Sequence, residues 1–177
     1  AMEDAYIEAI DAARDDILIA NAYFLPGFRF RRALLAAARR GVRVAILLQG
    51  RVEYRLQHYA TQALYGRLLA AGVRIFEYQP SFLHAKVAVI DGEWATVGSS
   101  NIDPFSLLLA KEANVVVRDA GFAATLRRSL DEAIAGGAVE LRTQDWRRLS
   151  WPSRLLRWTC YQLVRIAIGI AGYGGRH

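Results

Sequence analysis

The sequence predicts an α/β fold, a sandwich of helices around a mixed central sheet, and three observations carry that prediction. Short runs rich in Val, Ile and Leu recur between longer stretches with helical spacing. The first half orders them α-β-α-β-α-β, the pattern of parallel strands joined by crossover helices. The order then changes to β-β-β-α, which brings antiparallel neighbours into the sheet. With 177 residues and 19.7 kDa, the chain can bury one sizeable core.

The first helix is expected over residues 3–15, where Tyr6, Ile7, Ile10 and Ala13 share a face. The apolar run Ile17-Leu18-Ile19-Ala20 follows and leads to Tyr23 and Phe24, before Pro26-Gly27 breaks it. Residues 28–40 read as an amphipathic helix with Phe30, Ala33, Leu34 and Ala37 inward, stopped by Gly41. A buried strand over 42–48, a helix over 54–71 ended by Gly72 and a strand over 73–78 complete the alternating part. Strands at 84–90, 95–97 and 112–117 follow, then a helix over 120–135 closed by Gly136-Gly137.

Composition excludes several classes. At 54% hydrophobic and 23% charged residues, the chain folds rather than staying disordered. A single cysteine, Cys160, excludes an intrachain disulfide, a cysteine-built zinc site and an iron–sulfur cluster. No signal peptide is expected at the start; Ala1-Met2 reads as an added beginning, and a longer native polypeptide is expected.

The charge separates two segments. Residues 1–145 carry equal numbers of basic and acidic groups, so the net charge of +6 rests on Arg147, Arg148, Arg154, Arg157, Arg165 and Arg176. Three of the four tryptophans, Trp146, Trp151 and Trp158, share this acid-free stretch. We therefore divide the chain into a neutral body, 1–145, and a basic, helical tail, 146–177. From 155 to 172 the tail is mostly apolar, but Arg157 and Arg165 make it a poor spanning helix and a plausible interfacial one for anionic lipid. Packing of the tail on the body, with its arginines in solvent, is the alternative.

The chemistry concentrates in Leu83-His84-Ala85-Lys86-Val87-Ala88-Val89-Ile90-Asp91. The chain has two lysines against 21 arginines, and three histidines. On a strand, His84 and Lys86 project from one face. An imidazole can attack phosphorus or move a proton near neutral pH, and a compact ammonium balances charge on the phosphoryl oxygens. Gly98-Ser99-Ser100-Asn101 ends a strand in a small polar turn able to address a phosphate. Glu112 opens the next strand, with Asn114 on its face, and offers a carboxylate for a catalytic imidazole. Asp91 has the opposite strand parity to His84, which makes it a structural member rather than a proton carrier.

The joint spacing His-x-Lys-x4-Asp-x6-Gly-Ser-x-Asn resembles the signature of the phospholipase D superfamily. Flanking segments such as Ala38-Arg39-Arg40-Gly41-Val42-Arg43-Val44 and Trp94-Ala95-Thr96-Val97-Gly98 narrow the likeness to the second half of bacterial cardiolipin synthases, the B type above all. The resemblance implies a phospholipase D-like α-β-α sandwich and metal-independent transfer of a phosphatidyl group from phosphatidylglycerol through a phosphohistidine, with no metal or cofactor expected. It also implies that His84 is one of two catalytic histidines, that Lys86 and Asp91 belong with it to the catalytic motif, that Lys86, Ser99 and Asn101 bind phosphate, and that Glu112 orients His84. The chain holds one such motif where the family site needs two. The other is expected from the N-terminal half of the same enzyme, or from a second copy of this chain as in dimeric one-motif nucleases. The alternative function is a homodimeric one-motif phosphodiesterase or endonuclease of the same superfamily; the neutral body argues against it and against nucleic acid as partner. A peripheral place at the bacterial cell membrane follows, and a catalytically silent scaffold is disfavoured by the intact motif.

Overall fold

The computed structural model describes residues 2–103 and 112–174, with side chains through 168. Arg176 and His177 lie outside the described residues. Among the described residues the order is α1 (Met2–Ala12), β1 (Asp16–Asn21), α2 (Phe28–Arg39), β2 (Arg43–Gln49), α3 (Arg55–Ala70), β3 (Arg74–Tyr78), β4 (Lys86–Ile90), β5 (Trp94–Gly98), β6 (Asn114–Arg118), α4 (Ala120–Ala135), β7 (Ala138–Glu140), α5 (Thr143–Arg147) and α6 (Trp151–Gly174).

The seven strands form one sheet in the order β6-β5-β4-β1-β2-β3-β7. β1, β2 and β3 are parallel, because each is reached through a helix; β4, β5, β6 and β7 pair antiparallel with their neighbours. The sheet is thus mixed, with helices on both faces.

Strand alternation sorts the core into two layers. Ile17, Ile19, Ile46 and Ile75 pack against α1, α2 and α3, where Tyr6, Ile10, Phe30, Leu34 and Leu68 are buried. Leu18, Ala20, Leu47, Phe76 and Val89 face the other way, onto Ala123 and Leu130 of α4. Each large side chain buried in this way contributes about 1.5–3 kcal/mol. The helices α2 and α3 stop at Gly41 (φ +92°) and Gly72 (φ +88°), a left-handed backbone that glycine adopts without strain.

Several boundaries differ from expectation. The first helix ends at Ala12 rather than residue 15, because the N–H groups of Arg14, Asp15 and Asp16 turn to the Asp91 carboxylate. The strand expected from residue 84 begins at Lys86, and the one expected from 112 begins at Asn114. β7 and α5 were not anticipated from the sequence.

The tail forms α6, and one of its faces packs along α3. Cys160 is buried there, and Arg157 Nε donates to Gln62 Oε1 at 2.9 Å while its guanidinium lies over the rings of Tyr59 and Trp146. The opposite face leaves Trp151, Leu155, Trp158, Leu163 and Ile166 in solvent. No described helix is long and apolar enough to cross a membrane.

Candidate active site

The carboxyl ends of the parallel strands and the start of β4 meet at one end of the sheet, where open α/β sheets bind ligands. Two tethers hold the approach to β4 there. Ala22 N–H donates to the carbonyl of Ala85 at 2.9 Å, and Leu83 N–H donates to Gln49 Oε1 at 2.7 Å. His84 therefore stands exposed at the rim, just outside the strand.

Lys86 is buried, with only 6% of its surface exposed, opposite Asn21 of β1 in the register. Its Nζ lies 3.0 Å from His84 Nε2. An ammonium can only donate, so this contact presents Nε2 as an acceptor with its lone pair unprotonated, and the ring proton belongs on Nδ1. Burial pushes the Lys86 ammonium below its ordinary range, and the Glu112 charge opposes that shift. Glu112 itself is exposed and precedes β6. Among the described residues it makes no hydrogen bond to His84; its action reaches Lys86 by charge.

The next strands supply a polar turn. Ser99 Oγ accepts from the N–H of Ala113 at 3.1 Å, and the Ser99 N–H donates to the Ala113 carbonyl at 2.9 Å, extending the β5–β6 ladder. The Asn114 amide lies over Gly98, bonding Ser100 through its Nδ2 and accepting from Ser100 N–H at 3.4 Å. A Cβ on Gly98 would stand 1.8 Å from Asn114 Oδ1, so only glycine admits this packing. Among the described residues, the side-chain oxygen of Asn101 is buried without a hydrogen-bond partner, as is Nδ2 of Asn21. An orphaned buried acceptor and donor at this end are costly to the free protein and are available to a polar ligand.

Asp91 is placed elsewhere. It sits at the far end of β4, in a turn with φ +50°, and its carboxylate accepts the N–H groups of Arg14, Asp15 and Asp16 at 2.8–2.9 Å. It anchors β4 to the α1–β1 connection, at the opposite end of the strand from His84. His84 and Lys86 come together, with Ser99 and Asn101 in the adjoining turn. Asn21, Gln49 and Asn114 are supporting residues that sequence reasoning did not assign to the site. Only the polar Asn21 closing an apolar run, and the shared face of Asn114, signalled them.

The family model for the cardiolipin synthase, phospholipase D-like domain, matches residues 6–134. Cardiolipin synthase B of Escherichia coli (strain K12) is 43% identical over 150 residues, covering 85% of this chain and 36% of that protein. The probable cardiolipin synthase YwiE of Bacillus subtilis (strain 168) is 39% identical over 132 residues, covering 75% and 26%. The chain thus spans about a third of the length of the curated relatives it matches. Among solved structures, the phospholipase D family member Nuc from Salmonella typhimurium aligns with a TM-score of 0.68 at 23% identity, over 78% of this chain and 90% of that one. Phosphatidylserine synthase of Haemophilus influenzae Rd KW20 aligns with a TM-score of 0.72 at 13% identity, over 96% and 44%. These two likenesses establish the fold.

Proposed function

Because the chain belongs to the family of phospholipase D-like cardiolipin synthase domains, we propose that it is the C-terminal catalytic half of a phosphatidyltransferase that makes cardiolipin from phosphatidylglycerol. The contact of His84 with the buried Lys86 carries this reading: an unprotonated imidazole nitrogen 3.0 Å from an ammonium, at an open end of the sheet. A nucleophile or base and a phosphate-charge partner are the two components this chemistry needs from one motif.

The reaction runs in two displacements. One of two histidines attacks the donor's phosphorus; the new P–N bond replaces the P–O bond to the departing glycerol. The other histidine gives that oxygen its proton. It then takes a proton from the incoming glycerol hydroxyl of a second phosphatidylglycerol, whose oxygen displaces the histidine nitrogen. Water in that place gives hydrolysis. His84 is one of the pair. Lys86 turns from His84 Nε2 to a non-bridging oxygen once phosphate enters, with Ser99 and Asn101 beside it, and Glu112 sets the charge around Lys86.

The second histidine comes from the rest of a longer chain. The matched relatives are about three times as long as the segment they share with this one, which leaves room for that half. Pairing of two copies is the other way to complete the site. Residues 1–145 form the catalytic half-domain, working peripherally at a bacterial membrane. The test is cardiolipin formation from phosphatidylglycerol vesicles by the chain joined to its missing half. His84→Ala is expected to lower turnover by about 10³-fold or more while the unfolding midpoint stays unchanged. Wild-type turnover in the variant would remove His84 from the chemistry.

A further inference from the structure

An open cavity of about 400 Å³ lies between α3, α5 and α6. Arg67, Arg147, Arg154 and Arg157 line it together with Trp146 and Trp158, and no carboxylate does. Among the described residues, none of these four arginines forms an ion pair. The cluster is nevertheless ordered. Arg157 is bonded to Gln62 Oε1 and the Ser153 carbonyl, Arg154 Nη2 donates to the Arg147 carbonyl at 2.6 Å, and Trp146 is tilted against Tyr65 at 5.1 Å. Four cations gathered without a counter-charge repel one another, and an anion would offset that cost.

Beside the cavity, α6 presents an apolar ridge. Trp151, Leu155, Trp158 and Ile166 recur at i, i+4, i+7 and i+15, and all are exposed. Arg154 and Arg165 fall along the ridge's flank, between it and the face docked on α3. Trp158, 55% exposed, belongs to both features. A soluble phosphate or a nucleic acid would use the arginines and leave the ridge in water. An anionic phospholipid uses both: headgroup on the arginines, ridge in the acyl boundary.

We infer that this cavity is a headgroup site for an anionic phospholipid and that the outer face of α6 lies in the bilayer interface. α5 sets Trp146 beside Gly66, and α6 then runs antiparallel to α3, past Gln62 at Arg157, to Tyr161, whose hydroxyl accepts from Arg31 at the start of α2. Its later turns therefore point toward the end of the sheet that carries His84. A helix lying flat on the membrane keeps that end beside the lipid surface. The inference stands on α6 and does not depend on turnover.

The experiment is sedimentation of the full chain with phosphatidylcholine vesicles, pure or with about a third phosphatidylglycerol. Anionic vesicles are expected to bind it tightly and pure ones weakly. Arg67→Gln/Arg147→Gln is expected to weaken anionic binding by about 25-fold, roughly fivefold for each arginine. A control pair on the other side of the molecule, Arg118→Gln/Arg128→Gln, is expected to change it less than about threefold. His84→Ala should bind like the parent, which keeps this result separate from the catalytic reading. Equal binding to both vesicle types, or equal loss in both double variants, would overturn the site. Release by millimolar inorganic phosphate, or stronger binding to an oligonucleotide than to anionic vesicles, would overturn phospholipid as the ligand.

Discussion

Replacing Asp91 by alanine separates an anchor from a catalyst. The carboxylate accepts three backbone N–H bonds, from Arg14 at 2.8 Å and from Asp15 and Asp16 at 2.9 Å. Bonds of this kind at a solvent-facing turn contribute about 0.5–1 kcal/mol each, below the range of shielded charged pairs. Alanine at φ +50° adds about 1 kcal/mol of strain that aspartate largely escapes. The expected loss is about 3 kcal/mol, or a fall of about 6–12 °C in Tm for a chain of this size. Asp91→Asn tolerates the backbone and keeps Oδ1, so it is expected to lose only about 1 kcal/mol. Urea unfolding measures both, with the midpoint moving and the slope unchanged.

The same bonds set a pH dependence. Burial raises the Asp91 carboxyl, but the three N–H donors outweigh it and hold the group below its ordinary value of 3.8. Their stabilisation is complete above that ordinary value and is lost as pH falls through the lower folded one. The gap between wild type and Asp91→Ala should therefore narrow in acid, down to the backbone strain. Wild-type stability in Asp91→Ala to within about 0.5 kcal/mol, or a displaced His84 imidazole signal by NMR, would refute the anchoring role.

Two further substitutions probe the supports of the site and of the tail. Gly98→Ala forces a Cβ to 1.8 Å from Asn114 Oδ1 and 2.6 Å from the Ala113 carbonyl, and is expected to cost about 3 kcal/mol in urea unfolding. Arg157→Ala removes the bonds to Gln62 and the Ser153 carbonyl and the stacking on Tyr59 and Trp146. Opening of α6 is then easier by about 2 kcal/mol, so a thiol reagent should label the buried Cys160 about 30-fold faster; an unchanged labelling rate would remove Arg157 as the helix's fastener.

The sequence was most legible where one element's own pattern decides the outcome. α4 carries its own start signal, the Asp119 carboxylate accepting from Phe122 N–H at 2.7 Å, and its observed span equals the expected one. Strand parity alone separated Asp91 from His84. Legibility failed where the decision lies between elements. The three residues of β7 pair only because the free edge of β3 is there to receive them. Glu112 was placed on a strand by its neighbours' composition, yet Val115 and Val116 are both exposed, so that strand lacks the one-sided alternation that would fix its start. Asn21 was hidden in the apolar run before it, and its partner, the Ile102 N–H at 3.1 Å, lies 81 residues away.

The central position of β1 has a consequence for the order in which the molecule can assemble. Its first partner, β2, follows within one helix, but its second, β4, pairs Ile17 with Ile90. At roughly 5–20 residues per second, the ribosome delivers that second partner on the order of ten seconds later. Through that interval Ile17, Leu18 and Ile19, completely buried in the finished protein, border an open strand edge. The arrival of β4 closes that edge, sets Lys86 opposite Asn21 and brings the Asp91 turn onto the α1–β1 connection. Closure of the β1 edge, and with it the start of the catalytic end, thus waits on long-range pairing rather than on the fast local helices, and β5, β6 and β7 add to the sheet after it.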